Sequence, residues 1–383
     1  MRPISLLLLF FVACVTSWNA NARGTDALHG RLVAPVGHVF VIVLENEPYG
    51  ITFGPHSPAS YLSKTLKAKG ALLPDYYSIG HMSLDNYIAM ISGQAPNPQT
   101  QDDCPVMTGF VRTRPGLNAD GQALGSGCVY PTDVHTVAGQ LHDAGLDWRG
   151  YMEDMGNDPD RESATCGHVP IGARDHTNHA SAHDQYADKH DPFVYFHAII
   201  DHRAYCSTHV VNLRHLRVDL KTVATTPQFA YITPNLCHDG HDAPCANGKP
   251  GGLVSANAFL KTWVPRILAS PAYRKNGLLV ITFDEGSQAH ACCHEKGLPG
   301  GRPAGIYGPG GGRIGAVLLS PFIKPGTVST HAYNHYALLR SIEDAFDLPY
   351  LGYAGAKGLR AFGPDVFTAR KHIEATQRSA QRR

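Results

Sequence analysis

The segment HVFVIVLENEPYG, residues 38–50, decides the fold because a wholly apolar run ends there in a group of acids. Five of the six residues from Val39 to Leu44 are β-branched or aromatic, which predicts a buried strand. The run ends at Glu45-Asn46-Glu47, although a surface turn would serve with Gly, Asp or Ser. Carboxylates at the end of a buried strand are costly without a partner, so these acids predict a bound group.

Similar apolar runs recur along the chain and are separated by amphipathic segments. The predicted strands are 38–44, 147–152, 229–233, 278–283 and 314–319, and the predicted helices are 58–69, 84–92, 133–144, 255–269 and 335–346. This alternation indicates an α/β fold, a three-layer α/β/α sandwich with a mostly parallel central sheet. Ligands of such sheets bind outside the carboxyl ends of the strands, where the acids lie.

The composition argues against two classes of partner. Lys and Arg total 33 and Asp and Glu total 32, so no bulk charge draws the protein to nucleic acid or to anionic lipid. No stretch approaches the roughly 18 apolar residues of a membrane-spanning helix, which predicts no transmembrane segment. Oligomeric state is not indicated by the sequence.

The first residues predict export. Residues 1–22 resemble a signal peptide, with Arg2, an apolar run at 4–15 and the small residues NANA, so we expect a secreted or periplasmic protein. Lipid attachment at Cys14 is the alternative. The remainder is predicted to be one catalytic domain over 33–365, with a His-rich excursion at 156–192. A basic, disordered tail is expected at 366–383.

Cysteine usage agrees with export. The chain has nine cysteines, and eight remain once Cys14 leaves with the signal peptide. An even number in an exported protein favours disulfides, whereas zinc is weakly supported because no CxxC pair exists. The adjacent Cys292 and Cys293 are predicted to bond to different partners. Two pairs lie close in sequence without fixing the pairing: Cys104 with Cys128, and Cys237 with Cys245.

The stretch YYSIGHMSLDNYIAMISG, residues 76–93, contains a serine immediately before an apolar helical run. Ser83 fits a simple N-cap. The same position suits a nucleophile, because the positive end of a helix stabilises an alkoxide and a phosphate. Asn86, one turn later, is placed to donate to a phosphate oxygen.

Two further groups of polar residues follow predicted strands. ITPNLCHDGHD, residues 232–242, contains His238, Asp239, His241 and Asp242, a density that favours metal binding or catalysis over simple solvation. VITFDEG, residues 280–286, ends a strand in Asp284-Glu285 and so repeats the first motif. His335 opens the last strong helix; its candidacy rests on the other groups.

Oxygen donors at two strand ends, with a hydroxyl between them in the chain, predict a hard-cation site. A divalent cation would remove the cost of burying the acids and would polarise the serine. The identity of the metal is not indicated. The predicted ligands are Glu45, Asn46, Ser83, Asp284 and Glu285.

The order of these motifs resembles the alkaline phosphatase superfamily. More closely, the chain resembles the bacterial phosphoesterase family of secreted acid phosphatases and phospholipases C. The matching stretches run from residue 38 to about 347, and the most distinctive is ITPNLCHDGHD. The other stretches are VIVLENEPYG, GHMSLDNYIAMISG, HDPFVYF at 190–196, VITFDEG and YNHYALLRSIEDAF.

The resemblance implies roles for matching positions. Ser83 resembles the nucleophile that is transiently phosphorylated, and the acids after the two strands resemble metal ligands. Asp239, His241 and His335 occupy places of a second metal set in the superfamily. Asp239 and His241 are closer together than is usual there, and Glu285 stands where a histidine is common. We therefore expect one cation, with the histidines contacting phosphate or leaving group.

The expected reaction is hydrolysis of phosphate monoesters by a secreted acid phosphatase. Ser83 attacks phosphorus, and His335 or His241 protonates the leaving oxygen and later activates water. A protonated histidine favours activity below about pH 6.5. The substrate is expected to be a small phosphorylated compound, with a phosphoinositide or a nucleotide among the candidates. Predicted substrate contacts are His81, Asn86, His238 and Asp239.

Two alternatives remain open at this stage. A phospholipase C-type phosphodiesterase would need a route to lipid, and the sequence shows no basic amphipathic helix. A non-enzymatic periplasmic metal-binding protein would explain the 22 histidines but neither Ser83 nor the two acid-ended strands.

Overall fold

The computed structural model describes residues 34–367. An eight-stranded sheet lies at its centre. In chain order its strands are β1 (His38–Leu44), β2 (Ala71–Leu73), β3 (Trp148–Met152), β4 (Val210–Asn212), β5 (Phe229–Thr233), β6 (Gly277–Phe283), β7 (Ala316–Leu319) and β8 (Thr327–Val328). Their order across the sheet is β8-β2-β7-β6-β1-β5-β3-β4.

Five neighbouring strands, from β6 to β4, run parallel, while β7 is antiparallel to β6 and to β2. β1 lies between β6 and β5, and all seven of its residues are buried. A strand that is buried on both faces has no polar face, which explains its continuous apolar sequence. The predicted mostly parallel α/β architecture is confirmed.

Helices flank the sheet in two groups. The longer helices are α1 (Ser83–Ser92), α2 (Val137–Asp143), α3 (Arg203–His209), α4 (Gly252–Ala269), α5 (Pro271–Asn276) and α6 (His335–Phe346). α1 packs against α2 and α6, whereas α4 packs against α5 and a π-helix at Tyr61–Leu66 that continues as Lys67–Lys69. Short helical turns lie at Tyr49–Thr52, Thr100–Asp102, Asp188–His190, Pro192–Tyr195, His197–Ile200, Leu213–His215, Leu216–Asp219 and Gly352–Gly355. Two small sheets pair Tyr76–Tyr77 with Tyr333–Asn334 and Val111–Leu117 with Ala123–Ser126.

The predicted bounds of 38–44, 229–233 and 335–346 match the structure. The strand predicted at 314–319 begins two residues later, after Gly315, whose φ of 77° cannot continue a strand. The helix predicted at 133–144 begins at Val137, because the Thr136 side chain accepts from Gly139 N and caps it there. These differences are local and leave the order of elements unchanged.

Four disulfides connect the eight cysteines within the described residues. They are Cys104–Cys128, Cys166–Cys206, Cys237–Cys245 and Cys292–Cys293. The prediction that Cys292 and Cys293 bond to different partners is therefore wrong. The other six cysteines are paired among themselves, so the two neighbours have only each other.

The His-rich segment at 156–192 has little regular structure apart from the turn at Asp188–His190. This turn is buried at residues 188 and 190, so the segment returns to the core before it ends. No helix within residues 34–367 has the length and apolar character needed to cross a membrane. The predicted signal peptide at 1–22, Cys14 and most of the predicted tail, 368–383, lie outside the described residues.

Candidate active site

The register of the sheet brings the two acid-ended strands together. Leu44 at the end of β1 pairs with Phe283 at the end of β6, so Glu45 and Asp284 leave the sheet side by side. Asp284 N donates to Leu44 O at 2.8 Å, and Asn46 N donates to Asp284 Oδ1 at 3.0 Å. Both acids are completely buried. This arrangement is the carboxyl edge that the parallel strands predicted.

Ser83 lies at this edge as the first residue of α1. Its hydroxyl donates to Glu45 Oε1 at 2.6 Å. The N-cap position belongs to Met82, so Ser83 is not the simple N-cap that its sequence also allowed. The start of the helix is held instead by Asp103, whose Oδ1 accepts from Leu84 N at 2.9 Å.

A loop after β5 brings a third carboxylate. Asp239 O accepts from Glu45 N at 2.9 Å, which joins this loop to the end of β1. Asp239 itself is completely buried, and its Oδ1 accepts from His241 N at 2.9 Å. Glu45, Asp239 and Asp284 therefore come from the ends of three neighbouring strands, β1, β5 and β6.

His190 completes the cluster and was missed as a site residue by the sequence analysis. Its Nε2 lies 2.8 Å from Glu45 Oε2 and its Nδ1 lies 3.7 Å from Asp239 Oδ2. The ring stacks on Tyr87 of α1, which fixes its plane. One ligand atom from each of Glu45, His190 and Asp239 lies within 4.8 Å of the others, a geometry that can hold a metal ion.

Burial and neighbouring charges shift the pKa values of the three carboxylates in different directions. Burial alone would raise the pKa of Glu45, but the charges of His190 and Lys189 hold it well below its usual range. Burial and the charge of Glu45 raise the pKa of Asp239 and of Asp284 well above their usual range. Three carboxylates this close repel one another unless a proton or a cation compensates them.

The donor set fits a divalent metal. Within residues 34–367, no hydrogen-bond donor reaches Asp239 Oδ2 or Asp284 Oδ2, although both atoms are buried. Buried carboxylate oxygens without partners are costly, and they are satisfied when they ligate a cation. Carboxylates with an imidazole suit zinc, manganese or iron, while an all-oxygen set would favour magnesium or calcium. The site residues present thus agree with a bound metal, with His190 added to the predicted ligands.

Two predicted ligands have other contacts in the structure. Glu285 N donates to Asp284 Oδ1 at 2.6 Å, but the Glu285 carboxylate is in hydrogen-bond contact with His81 Nδ1. His81 Nε2 also lies 3.3 Å from Gln288 O. Asn46 uses its amide nitrogen to donate to Glu45 Oε1 at 3.0 Å. Glu285 and His81 therefore form a pair beside the carboxylate cluster.

The predicted phosphate contact of Asn86 is not supported, because its amide is fully engaged. Its Oδ1 accepts from Ile79 N at 2.8 Å and Gly80 N at 3.0 Å, and its Nδ2 donates to Gly80 O and Met82 O, each at 3.0 Å. Asn86 is completely buried. It fixes the loop that leads to Ser83.

The structure distinguishes the two histidines predicted as proton donors. His335 is completely buried, with Nε2 at 2.6 Å from Asp284 O and Nδ1 at 3.2 Å from Tyr76 Oη, and burial lowers its pKa to about 4. Its ring nitrogens are thus occupied. His241 has a side chain that is 51% exposed, and a hydrogen bond with Asp242 raises its pKa. Only His241 has the exposure needed to meet a leaving group.

His238 points away from the cluster, in contrast to its predicted role in substrate binding. Its Nδ1 lies 2.9 Å from Glu153 Oε2, and the ring lies near Phe259 of α4. His238 and Phe259 line a cleft of about 300 Å³ that is also lined by Trp263. His238 and Asp239 are adjacent in one loop, but His238 lines this cleft whereas Asp239 belongs to the carboxylate cluster.

Comparison with known proteins identifies the family of the chain and several relatives. A model of the phosphoesterase family matches residues 56–349. The chain is 24% identical over 318 residues to a probable acid phosphatase of Kluyveromyces lactis, covering 82% of this chain and 59% of that protein. It is 25% identical over 300 residues to the phosphate-repressible acid phosphatase of Penicillium chrysogenum, covering 78% and 57%. The chain thus spans somewhat more than half the length of these fungal relatives.

A bacterial relative matches over more of its length. The chain is 23% identical over 361 residues to a phosphatidylinositol-3-phosphatase of Mycobacterium tuberculosis, covering 92% of this chain and 91% of that protein. Among solved structures, a protein in the alkaline phosphatase superfamily from Vibrio parahaemolyticus gives a TM-score of 0.48 at 11% identity, covering 83% of this chain and 69% of that chain.

The family match covers most of the chain and includes Ser83, Asp239, Asp284 and His335. Glu45 lies just before it. The resemblance inferred from the sequence motifs is therefore confirmed: this chain belongs to the phosphoesterase family.

Proposed function

We propose that this protein is a phosphatase that hydrolyses phosphate monoesters, with Ser83 as the nucleophile and one divalent cation held by Glu45, Asp239 and His190. The observation that carries the proposal is the hydrogen bond of 2.6 Å from the Ser83 hydroxyl to Glu45 Oε1, inside the buried carboxylate cluster. A serine with a purely structural role is not expected among three buried acids, whereas a nucleophile beside a metal site is expected there.

The chemistry follows from these positions. The amino end of α1 favours an anionic phosphoryl group at Ser83. A cation bound by Glu45, Asp239 and His190, with Asp284 beside it, would supply positive charge for the serine oxygen and the phosphoryl oxygens. Glu45 Oε1 orients the hydroxyl through its hydrogen bond.

Two steps complete the proposed reaction. Ser83 Oγ gives its proton to Glu45 Oε1 and forms a bond to phosphorus as the ester oxygen leaves, and the departing oxygen takes a proton from His241. Water then attacks the phosphoserine and gives a proton to His241, while Ser83 Oγ leaves phosphorus and takes its proton back from Glu45, which releases inorganic phosphate. His335 keeps Asp284 in place through the hydrogen bond to the Asp284 carbonyl.

The relatives favour monoesters. Two fungal relatives are named acid phosphatases, and the bacterial relative matched at 91% of its length is named a phosphatidylinositol-3-phosphatase. A phosphoinositide monoester is therefore a specific second candidate substrate. Met82, immediately before Ser83, is 45% exposed and offers an apolar contact near the nucleophile.

The decisive experiment replaces the nucleophile. Ser83→Ala should lower hydrolysis of p-nitrophenyl phosphate by at least about a thousandfold, since the covalent step is lost. Ser92→Ala, a buried serine in the same helix, is the matched control and should retain nearly full activity. Mass spectrometry after rapid acid quenching should find phosphate on the peptide that contains Ser83. Full activity of Ser83→Ala would overturn the proposal.

The parent protein and the Ser83→Ala variant also distinguish the proposed monoesterase from a phosphodiesterase and from a metal-binding protein. A phosphodiesterase would hydrolyse bis-p-nitrophenyl phosphate faster than p-nitrophenyl phosphate, whereas the proposed monoesterase shows the reverse order. A periplasmic metal-binding protein would bind its cation equally well before and after Ser83→Ala and would hydrolyse neither substrate. Short-chain phosphatidylinositol 3-phosphate and a nucleoside monophosphate, compared at equal concentration, rank the natural substrate classes.

A further inference from the structure

Lys189 is a buried cation that the proposed reaction has not yet used. Its side chain is 14% exposed, and Nζ lies 3.0 Å from Asp103 Oδ2 and 4.0 Å from Glu45 Oε1. Two carboxylates, those of Asp103 and Glu45, face the ammonium and compensate its charge. Lysine side chains are mostly exposed in proteins, and those that are withdrawn from solvent are usually paired, as Lys189 is with Asp103.

The backbone holds Lys189 in this position. It is the middle residue of the turn Asp188–His190, where Asp188 N donates to Thr177 Oγ1 at 2.8 Å and His190 N donates to Ala187 O at 3.1 Å. The next residue, His190, reaches the other oxygen of the same carboxylate, Glu45 Oε2. A single turn therefore delivers an imidazole and an ammonium to the two oxygens of Glu45.

Asp103 links this ammonium to the helix of the nucleophile. One of its oxygens accepts from Leu84 N at 2.9 Å and the other from Lys189 Nζ at 3.0 Å. Asp103 is itself restrained, because the next residue, Cys104, forms a disulfide with Cys128. The lysine and the first turn of α1 therefore share one fixed anchor.

Glu45 Oε1 lies between Lys189 and Ser83. It accepts from the Ser83 hydroxyl at 2.6 Å and lies 4.0 Å from Lys189 Nζ. The hydroxyl and the ammonium thus face the same carboxylate oxygen, so a phosphoryl group on Ser83 would lie beside the ammonium. Within residues 34–367, Asp103 supplies the one acceptor within hydrogen-bond distance of Nζ, although an ammonium carries three donors. Lys189 thus has donors to spare beside the nucleophile.

We propose that Lys189 is a catalytic residue that binds the phosphoryl oxygens of the substrate and of the phosphoserine, with Asp103 as its positioning residue. This inference rests on the proposed function and adds a side chain to it. The lysine acts as a fixed positive charge on the Oε1 side of Glu45, the side that faces Ser83. A charge-assisted hydrogen bond of this kind strengthens as negative charge accumulates on the phosphoryl oxygens.

The test measures phosphate binding rather than turnover. Inorganic phosphate is titrated by calorimetry into cation-loaded Ser83→Ala protein, with Lys189 intact or changed to Met, Gln or Arg. Lys189→Met and Lys189→Gln should weaken phosphate binding by roughly 10- to 100-fold, since a hydrogen bond to a charged group is lost. Lys189→Arg should retain binding within about fivefold, because it keeps the charge. Lys261→Met, an exposed lysine on α4, should bind phosphate as the parent does.

Metal content and melting temperature are recorded for every variant, so that a misfolded or cation-free protein is recognised. Parent-like phosphate affinity of a folded, cation-loaded Lys189→Met or Lys189→Gln would overturn the inference. Asp103→Ala removes the acceptor that positions the ammonium, so it should weaken phosphate binding, whereas Asp103→Asn keeps one acceptor oxygen and should bind more tightly than Asp103→Ala. Parent-like phosphate affinity of a folded, cation-loaded Asp103→Ala would exclude Asp103 as the positioning residue.

The two proposals fail in different ways. Phosphoryl transfer without Ser83 would overturn the proposed nucleophile, but the phosphate titration in the Ser83→Ala background would remain interpretable. Conversely, loss of turnover in Ser83→Ala with unchanged phosphate affinity in Lys189→Met would leave the nucleophile in place and remove Lys189 from the reaction.

Discussion

At the scale of single residues, Glu45 has the largest number of roles. Its Oε1 accepts from Ser83 and from Asn46, and its Oε2 lies against His190. A carboxylate has about four acceptor positions, so one side chain can orient a nucleophile and ligate a cation together. The strand end that first distinguished the sequence is therefore the centre of the candidate site.

A first prediction concerns His190. Replacing it with Ala should weaken binding of the activating cation by at least about tenfold, because one of three ligands is lost. Calorimetric titration with Zn²⁺ and Mn²⁺ measures this change. His183→Ala, which removes an exposed histidine of the same segment, is the control and should bind like the parent. Unchanged affinity of His190→Ala would exclude His190 from the cation site.

A second prediction concerns the proton donor. His241→Asn should slow hydrolysis of glycerol phosphate by about a hundredfold, since an alkoxide leaves poorly without a proton. Hydrolysis of p-nitrophenyl phosphate should fall less, because p-nitrophenolate leaves without help. Rates of both substrates at pH 5.5 measure the difference. Equal losses on the two substrates would argue that the His241 side chain does not donate the proton.

At the scale of elements, the loop before α1 depends on one side chain. Asn86 forms four hydrogen bonds with residues 79–82, and all of them are lost in Asn86→Ala. Since buried backbone groups lose their partners, the free energy of unfolding should fall by about 2–4 kcal/mol. Denaturant titration measures this, with Asn247→Ala in an exposed loop as the control. A free energy of unfolding like that of the parent would show that the loop keeps its conformation without the Asn86 side chain.

The segment 156–192 contains a buried carboxyl group, that of Glu162, whose ionisation affects stability. Burial raises the pKa of Glu162 to about 8, above the ordinary 4.5, beside the buried Asp184. A carboxyl that is more readily protonated in the folded state stabilises the fold below the unfolded pKa, and this contribution is lost as pH rises through the folded pKa. We therefore expect the segment that contains His190 to be more stable at acidic pH.

The measurement is the melting temperature between pH 4.5 and 8. It should fall as pH rises in the parent, and Glu162→Gln should show a smaller fall because it cannot ionise. Asp160→Asn, an exposed neighbour, should keep the pH dependence of the parent. An identical pH dependence of Glu162→Gln and the parent would contradict the assignment.

At the scale of the whole molecule, the cation should act as a structural link as well. Carboxylates from β1, β5 and β6 meet in one cluster, so a bound cation joins three strand ends that otherwise repel one another. At a cation concentration of one hundred times Kd, the free energy of unfolding should rise by about 2.7 kcal/mol. Chelation should reverse the rise, and Glu45→Gln should lack it. Chelation without effect on the parent would place the cation elsewhere.

Much of the fold followed from local pattern. The bounds of β1, β5 and α6 agree with the prediction because their apolar residues recur with clear strand or helix periods. The neighbours Glu45 and Asp284 were also foreseeable, since parallel strands of similar length end at the same edge. The roles of Asn86 and Glu285 were harder to predict. A polar side chain near a site looks the same in the sequence whether it binds backbone groups or a ligand.

His190 shows where local pattern ends. It is one of five histidines in an irregular segment, and only its place in HDPFVYF distinguished it. His190 and Glu45 are far apart in the chain, and the path of the intervening loops decides that they meet. The bond between Cys292 and Cys293 has the same origin, since it depends on where six distant cysteines pair.

The amino-acid sequence by itself determined the sheet, the acid-ended strands and the serine at the start of α1, because each depends on neighbours within a few residues. Tertiary structure alone decided that Lys189 and His190 reach Glu45, that Asn86 holds a loop and that His335 is occupied by backbone and tyrosine. The physical reason is that these contacts join residues whose separation is set by strand register and loop path. Neither quantity is encoded in any single stretch of the chain.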